Sequence, residues 1–229
     1  MFYYFDPLYF LFPIPGLLVA LFAQAKVKSS FHKFSQIACR NGLTGAQAAQ
    51  RILEANGISN VRVVRTNGNL TDHYDPRNNT IALSDGVYGS ATISAIGVAA
   101  HEAGHAVQYA KNYAPIKWRS ALVPVCNFGA GISPFLILLG YLMNMDILLF
   151  LALGVFGLSV LFQLVTLPVE FNASRRALQA IESYRLLDTD ELQGAKSVLS
   201  AAALTYVAAL LQSLLIFLYY FVRFSKRRD

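Results

Sequence analysis

The string HEAGH at positions 101–105 brings together residue types that can hold a catalytic metal. It matches the pattern H-E-x-x-H, and the alanine-rich, proline-free stretch from Ser90 to Ala110 predicts one long helix around it. On a helix, side chains four residues apart lie on one face, about 6 Å apart, so the two imidazoles can bind one zinc ion. Glu102 is offset by one residue, which places its carboxylate beside the attacking water as a general base.

Two alternatives, a chance match and a histidine pair without metal, explain this pattern less well than a metal site does. The chain has 4 histidines, and the odds of the pattern arising by chance are on the order of one in a thousand. A buried histidine pair bonded to the main chain would leave Glu102 as an uncompensated acid in an apolar helix, whereas a metal ion supplies that compensation. We therefore predict a metal site with His101 and His105 as ligands.

A catalytic zinc ion usually has three protein ligands, so one ligand must come from elsewhere in the chain. The other histidines, His32 and His73, both lie upstream, which favours a carboxylate. Glu170 is the preferred candidate because it opens the polar segment that follows a long apolar stretch. Its alternative role is that of an acid near a helix N-terminus, favoured by the helix dipole. The other downstream acids, in ordinary polar surroundings, are Glu182, Asp188, Asp190 and Glu191.

Apolar segments must position these residues. The chain has 229 residues, of which 55% are hydrophobic and 14% charged, with a mean hydropathy of +0.44, so it is too apolar for an ordinary soluble domain. Four segments approach the roughly 20 residues that cross a hydrocarbon core about 30 Å thick. They are Leu8 to Gln24, Leu122 to Met143, Ile147 to Leu167 and roughly Val198 to Val222. The first contains Pro13 and Pro15, and its opening could instead lie at the membrane interface.

These segments divide the chain into five predicted portions. They are an N-terminal transmembrane segment (1–24), a catalytic portion with the metal-binding helix (25–121), a transmembrane hairpin (122–167), a second catalytic portion with the third ligand (168–197), and a C-terminal transmembrane helix with a basic tail (198–229). Two crossings between His105 and Glu170 return the chain to the side it left, so both halves of the site can meet. Pro168 is expected to begin a new helix after the hairpin.

Cysteine content and charge narrow the function classes further. Cys39 and Cys126 are the 2 cysteines, and the second lies in an apolar segment, so we predict free thiols and neither a disulfide framework nor a Cys-rich zinc cage. The net charge of +6 is concentrated beside the apolar segments, so anionic lipid headgroups are the expected partner and nucleic acid is not. The basic clusters are Lys26, Lys28 and Lys33; Lys117 and Arg119; Arg175 and Arg176; and Arg223, Lys226, Arg227 and Arg228.

The three internal basic clusters all lie on the predicted catalytic side, which predicts a cytoplasmic active site. The C-terminal cluster contradicts this orientation, because with four full crossings it would lie on the opposite face. Either one terminal segment does not span, or the positive-inside rule fails at one end.

Several stretches of the chain resemble the YugP-type membrane zinc metallopeptidases of bacteria. The resemblance is carried by residues 70–76, 81–88, 98–108, 168–177 and 202–208, and covers nearly the whole chain. It implies a mainly α integral protein of the bacterial inner membrane, with about four transmembrane helices and a small α+β domain carrying a short edge strand or hairpin. A more distant similarity to gluzincin proteases of the HtpX and CAAX-prenyl-protease type implies Glu170 as the third zinc ligand.

The gluzincin resemblance also raises expectations about the residues that orient the ligands. Those relatives carry an aspartate four residues after the ligand glutamate, hydrogen-bonded to a zinc histidine, whereas this chain has Ser174 there. A serine can orient an imidazole but does not strengthen it as a carboxylate would. Asn172 could share the task, although its offset of two residues points it away from the face of Glu170.

Further expectations concern the surroundings of the metal. In gluzincins an edge strand upstream of the zinc helix aligns an extended substrate, and Thr80 to Ser84 matches that place, with an ordinary surface hairpin as the alternative. His73 is expected to satisfy a turn rather than stabilise an oxyanion. Tyr206 and Arg175 are expected to lie at the membrane interface and at lipid headgroups rather than to polarise the scissile carbonyl.

The sequence therefore predicts a zinc-dependent endopeptidase that cleaves membrane-associated or extended protein substrates with water activated by Glu102. The alternative is a zinc-bearing membrane scaffold or quality-control adaptor without catalysis, but a structural zinc site normally fills all four positions with Cys or His. A transporter would need polar groups inside its crossings, and Leu122 to Leu167 has almost none. The substrate and the oligomeric state do not follow from the sequence.

Overall fold

The computed structural model describes residues 7–226 as a mainly helical protein with one small sheet. Its elements, in chain order, are α1 (Pro7–Leu11), α2 (Pro13–Ser35), α3 (Gly45–Ala55), β1 (Arg62–Thr66), β2 (His73–Asp75), β3 (Thr80–Ser84), α4 (Asp85–Tyr88), α5 (Ile93–Ala110), α6 (Ala114–Leu142), α7 (Asp146–Ser183) and α8 (Thr189–Ser225). Residues 1–6 of the predicted N-terminal segment, and Arg227 and Arg228 of the basic tail, lie outside the described residues.

Within the described chain, three helices are long and apolar enough to cross a membrane. These are α6, α7 and α8, and little of their apolar stretches is buried inside the protein, as expected for helices that face lipid. α6 and α7 pack against each other as a hairpin with a very short connection around Asn144. The prediction of a mainly α protein with a small sheet is confirmed, and three of its four predicted crossings have a helix that is long and apolar enough to span.

The first apolar segment is not among these three helices. It is divided at Phe12 into α1 and α2, and Pro13 begins the second helix, as its missing N–H allows. α2 packs antiparallel along α8, because Gly16 faces Gln212 while Phe34 lies against Gly194. A fourth crossing by α2 beside α8 therefore stays a prediction.

α7 is one continuous helix of 38 residues, which begins in the predicted transmembrane hairpin and continues into the polar segment that carries Glu170. The expectation that Pro168 begins a new helix is wrong, since Pro168 lies inside α7. Proline cannot donate to the carbonyl of Leu164, but membrane helices tolerate such a gap where neighbouring helices support them. Glu170 is consequently held on the same rigid element as the transmembrane hairpin.

The sheet has the strand order β1-β3-β2, with β1 parallel and β2 antiparallel to β3. Thr80–Ser84 is therefore the central strand, and the expectation that it forms a substrate-binding edge is wrong. Its residues from Ile81 to Ser84 are buried, which suits a strand paired on both sides. β3 forms a hairpin with β2 across a tight connection, but its burial shows that it is not the ordinary surface strand of the alternative, and the edge strands of the sheet are β1 and β2.

α5 lies at the centre of the protein core and packs against α3, α7 and α8. Its start is fixed by Thr92, whose side chain accepts a hydrogen bond from the Ala95 amide. At Gly104 a Cβ would lie 2.8 Å from the carbonyl oxygen of Ala173, so only glycine lets α5 approach α7 this closely. This approach brings the HEAGH string to the level of Glu170.

Candidate metal centre

The structure brings His101, His105 and Glu170 into one cluster. α5 supplies the two imidazoles and α7 supplies the carboxylate, and their ligand atoms all lie within 4.8 Å of one another. Oε2 of Glu170 is 3.2 Å from Nε2 of His101 and 3.6 Å from Nε2 of His105. Two imidazole nitrogens and one carboxylate oxygen form the donor set of a catalytic zinc ion, which leaves one coordination position open.

The electrostatics of the cluster also fit a bound cation. Glu170 is 1% exposed and His105 is 7% exposed, so the carboxylate has lost almost all of its hydration. Oε1 of Glu170 accepts no hydrogen bond from the described residues, and Nη1 of Arg119 stands 3.5 Å away. A zinc ion among the three ligand atoms would compensate the buried charge, so these residues fit the metal.

Each imidazole is oriented by a hydrogen-bonding partner on its other nitrogen. Nδ1 of His101 lies 3.2 Å from the Ser174 hydroxyl, and Nδ1 of His105 lies 3.0 Å from Oε1 of Gln108. Because Nδ1 is engaged in both rings, each ring presents Nε2 to Glu170. Such partners fix the ring orientation and the tautomer of a metal-binding histidine.

Gln108 links the two helices that carry the ligands. It is fully buried, and its Nε2 donates to the Val169 carbonyl at 2.8 Å and to Oδ1 of Asn172 at 3.0 Å. Asn172 also accepts a hydrogen bond from Arg176. Asn172 therefore acts on His105 through Gln108, and not on the face of Glu170. Gln108 was not predicted as a site residue; its position three residues after His105 on the same helix was the available signal, but its burial and its contacts with α7 appear only in the structure.

Glu102 lies beside the ligands in the position expected of a general base. It is 8% exposed and lines the same cavity as the two histidines. Burial raises the pKa of Glu102 to about 7, an effect to which the Glu170 and Asp72 carboxylates add and which the neighbouring His101 opposes. A carboxylate with a pKa near neutral can both accept and return a proton.

The metal centre opens into a cavity of about 810 Å³. β2 forms one wall and the first half of α6 another, while α5, Glu170 and Tyr206 complete the lining. His73 is part of the β2 wall, and its Nδ1 also donates to the Thr71 carbonyl at 2.8 Å, which is the kind of turn contact expected from the sequence.

Tyr206 and Arg119 both lie in surroundings that differ from the expected ones. Tyr206 lines the cavity beside Glu170, whereas Arg175 is exposed and is not part of the cavity lining. Arg119, expected to face lipid headgroups, lies in the cavity wall next to Glu170 instead. Its helical spacing with Ile116 and Val123, which share that wall, was the available signal, but the rotation of α6 depends on packing.

Comparisons with known proteins agree with this chemistry. Residues 9–225 match a family described as "Putative neutral zinc metallopeptidase". The chain belongs to this family. It is also 46% identical, over 222 residues, to the "Putative membrane protease YugP" of Bacillus subtilis (strain 168), an alignment that covers 97% of this chain and 99% of that relative. No solved structure matches the chain.

Family membership confirms the resemblance that the motifs predicted, and with it zinc as the cofactor. It also agrees with the three apolar helices in making the chain a membrane protein. The roles of the individual residues around the metal do not follow from the family match and depend on the geometry of the site.

Proposed function

We propose that the protein is a zinc-dependent endopeptidase embedded in the membrane, with His101, His105 and Glu170 as metal ligands and Glu102 as the general base. The observation that carries this proposal is the convergence of the three ligand atoms within 4.8 Å beside a buried, cavity-lining glutamate. A purely structural zinc site has no use for an open cavity and a second acid that is not a ligand, Glu102, beside the metal.

A bound zinc ion supplies Lewis-acid chemistry, polarising the scissile carbonyl and favouring ionisation of water at its open position. Glu102 accepts the proton from the attacking water as the water oxygen bonds to the carbonyl carbon. The carbon–nitrogen bond then breaks, and Glu102 returns the proton to the leaving nitrogen. Ser174 and Gln108 keep both imidazoles in place while the charge at the centre changes.

The substrate in this proposal lies extended along β2, between that strand and α6. β2 is one of the two edge strands of the sheet, and its residues His73, Tyr74 and Asp75 line the cavity. A strand edge binds main-chain amides and carbonyls by adding a strand, whatever the side chains. It therefore suits an internal segment of a protein, which favours an endopeptidase. β2 thus takes the substrate-aligning role that the sequence suggested for Thr80–Ser84.

We place the active site on the cytoplasmic side of the bacterial inner membrane. Lys26 and Lys28, Lys117, and Arg175 and Arg176 lie on the catalytic side of the apolar segments, in keeping with the positive-inside rule. Arg119 does not count toward this charge, because it lines the catalytic cavity. The remaining cations suit anionic lipid headgroups.

The test is a Glu102→Gln variant of the full chain in liposomes, with casein and a membrane protein as substrates. We expect cleavage to fall by about 10²- to 10⁴-fold while zinc binding is retained, because a general base is lost and no ligand is removed. Glu182→Gln is the matched control, since Glu182 is an exposed glutamate on α7 that does not line the cavity. Undiminished cleavage by the Glu102 variant would favour a zinc-bearing scaffold.

A further inference from the structure

A groove runs along the membrane-spanning part of the protein, separate from the catalytic cavity. α6 and α8 both pack on α7 but barely touch each other, so α7 forms the floor of a groove between them. This membrane groove has a volume of about 570 Å³ and is lined by Ala130, Ser133 and Ile137 of α6, Ser159 of α7, and Ile216 and Tyr220 of α8, among others.

The membrane groove continues the catalytic cavity along the same helix faces. On α6, the cavity lining extends to Asn127 and the groove lining begins at Gly129 and Ala130, at helical spacing. On α8, Tyr206 lines the cavity while Ile216 and Tyr220, about three and four turns further on, line the groove. A chain lying in the groove would thus be directed toward the metal centre.

The chemistry of the membrane groove distinguishes a protein helix from a lipid chain. Pro134, in the groove wall, has no N–H, so the helix offers no donor from that position to the carbonyl of Ala130. The Ser133 and Ser159 hydroxyls lie in the same lining. Acyl chains can neither donate nor accept hydrogen bonds, whereas a transmembrane helix with a serine or threonine can do both. The small Ala130 also lets a helix backbone approach closely.

We propose that the membrane groove binds the transmembrane helix of a membrane-protein substrate and so delivers the adjoining extended segment to the metal centre. The proposal rests on the proposed endopeptidase function. The stretch of α6 from Asn127 to Tyr141 is about 21 Å long, roughly two thirds of a hydrocarbon core. The substrate class is therefore a membrane protein with a hydroxyl or small residue in its crossing and an extended segment at its catalytic-side end.

The first test needs no catalysis. A photocrosslinking residue replaces Ile137 in the groove, or Phe135 on the lipid-facing side of α6, in zinc-loaded Glu102→Gln protein in liposomes. The probe is a single-pass leucine–alanine helix with one central serine, fused to a casein segment. We expect crosslinks to the probe helix from position 137 and few from position 135. Crosslinks from position 137 only to lipid, or only to a second copy of this chain, would overturn the proposal.

The second test compares cleavage of the anchored casein segment with cleavage of the same segment in solution. Ala130→Leu fills the membrane groove and should lower the ratio of anchored to soluble cleavage about tenfold. Gly131→Leu is the matched control, because position 131 is exposed, has open space around it and is not part of the groove lining, so the parent ratio should persist.

The two tests separate failure of the groove from failure of the proposed function. An unchanged ratio in the Ala130 variant would contradict the groove. If the zinc-loaded parent protein cleaves neither form, the endopeptidase function fails, and the crosslinks from position 137 decide the membrane groove by themselves.

Discussion

The metal centre and the membrane groove are built on shared helices but held in different ways. At the metal centre, α5 and α7 meet through Gly104, and Gln108 and Ser174 fix the ligand rings by hydrogen bonds. Along the groove, α6 and α8 barely contact each other. They line a mainly apolar cavity with few polar side chains. Close packing and hydrogen bonds are therefore concentrated at the metal centre, whereas the groove keeps the open space that a substrate helix would need under our proposal.

If the buried hydrogen bonds hold the metal ligands, removing the central one should produce the largest loss of zinc binding among variants that keep all three ligands. Gln108→Leu keeps the bulk of the side chain but loses the contacts to His105, Val169 and Asn172. We expect zinc affinity to fall about 10- to 100-fold, as is typical when a group that orients a ligand is removed. Competition with a zinc chelator measures the zinc affinity. Gln179→Leu, at an exposed position on α7, is the control.

The close approach of α5 to α7 can be tested at Gly104, beside the metal centre. Gly104→Ala places a methyl group against the Ala173 carbonyl at 2.8 Å, and we expect it to destabilise the protein by about 1–3 kcal/mol. Gly97→Ala on the same helix meets Ala195 at 3.5 Å, an ordinary contact, and should cost little or stabilise α5. Thermal unfolding in detergent compares the two. Equal effects would mean that the distance between α5 and α7 is not critical.

Arg119 lines the catalytic cavity and not the membrane groove, and its charge should matter more for turnover than for folding. We expect Arg119→Gln to lower kcat/KM about tenfold, because Oε1 of Glu170 loses the guanidinium 3.5 Å away and the cavity loses a charged donor. Arg119→Lys should recover part of the loss. Steady-state cleavage of casein measures both variants, and Lys117→Gln, an exposed cation on the same helix, is the control. Full activity of the glutamine variant would limit Arg119 to a structural role.

The smallest effect is expected at Ser174. Its hydroxyl contacts Nδ1 of His101 at 3.2 Å near the surface of the cluster, where water can replace it. Ser174→Ala should therefore weaken zinc binding by less than about tenfold. Ser174→Asp should strengthen it, since a carboxylate makes the imidazole a better ligand. A chelator titration of the two variants ranks them, and the opposite order would exclude this contact as a determinant of zinc affinity.

What could be predicted from the sequence was local. The helix around the HEAGH string and the apolar helices follow from spacing and composition within single stretches. The position of Glu170 near the histidines could also be predicted from the sequence, because two crossings return the chain to one side of the membrane.

The errors concern strand order, helix continuity and helix rotation. Thr80–Ser84 is the central strand and not the expected edge, because the order of strands in a sheet depends on long-range pairing that the sequence does not state. Pro168 does not start a helix, since support from neighbouring helices carries α7 through it. Arg119 and Gln108 were missed because the rotation of α6, and the contact between α5 and α7, exist only in the packed protein.

The central claim is that His101, His105 and Glu170 together hold one zinc ion. The most direct test is the zinc content of the purified full chain and of three variants, His101→Ala, His105→Ala and Glu170→Ala, with Glu182→Ala as the control. We predict about one zinc ion per chain in the parent and the control, and nearly none in each of the three variants. Parent protein without zinc in ample metal, or a Glu170 variant that binds zinc like the parent, would contradict the account.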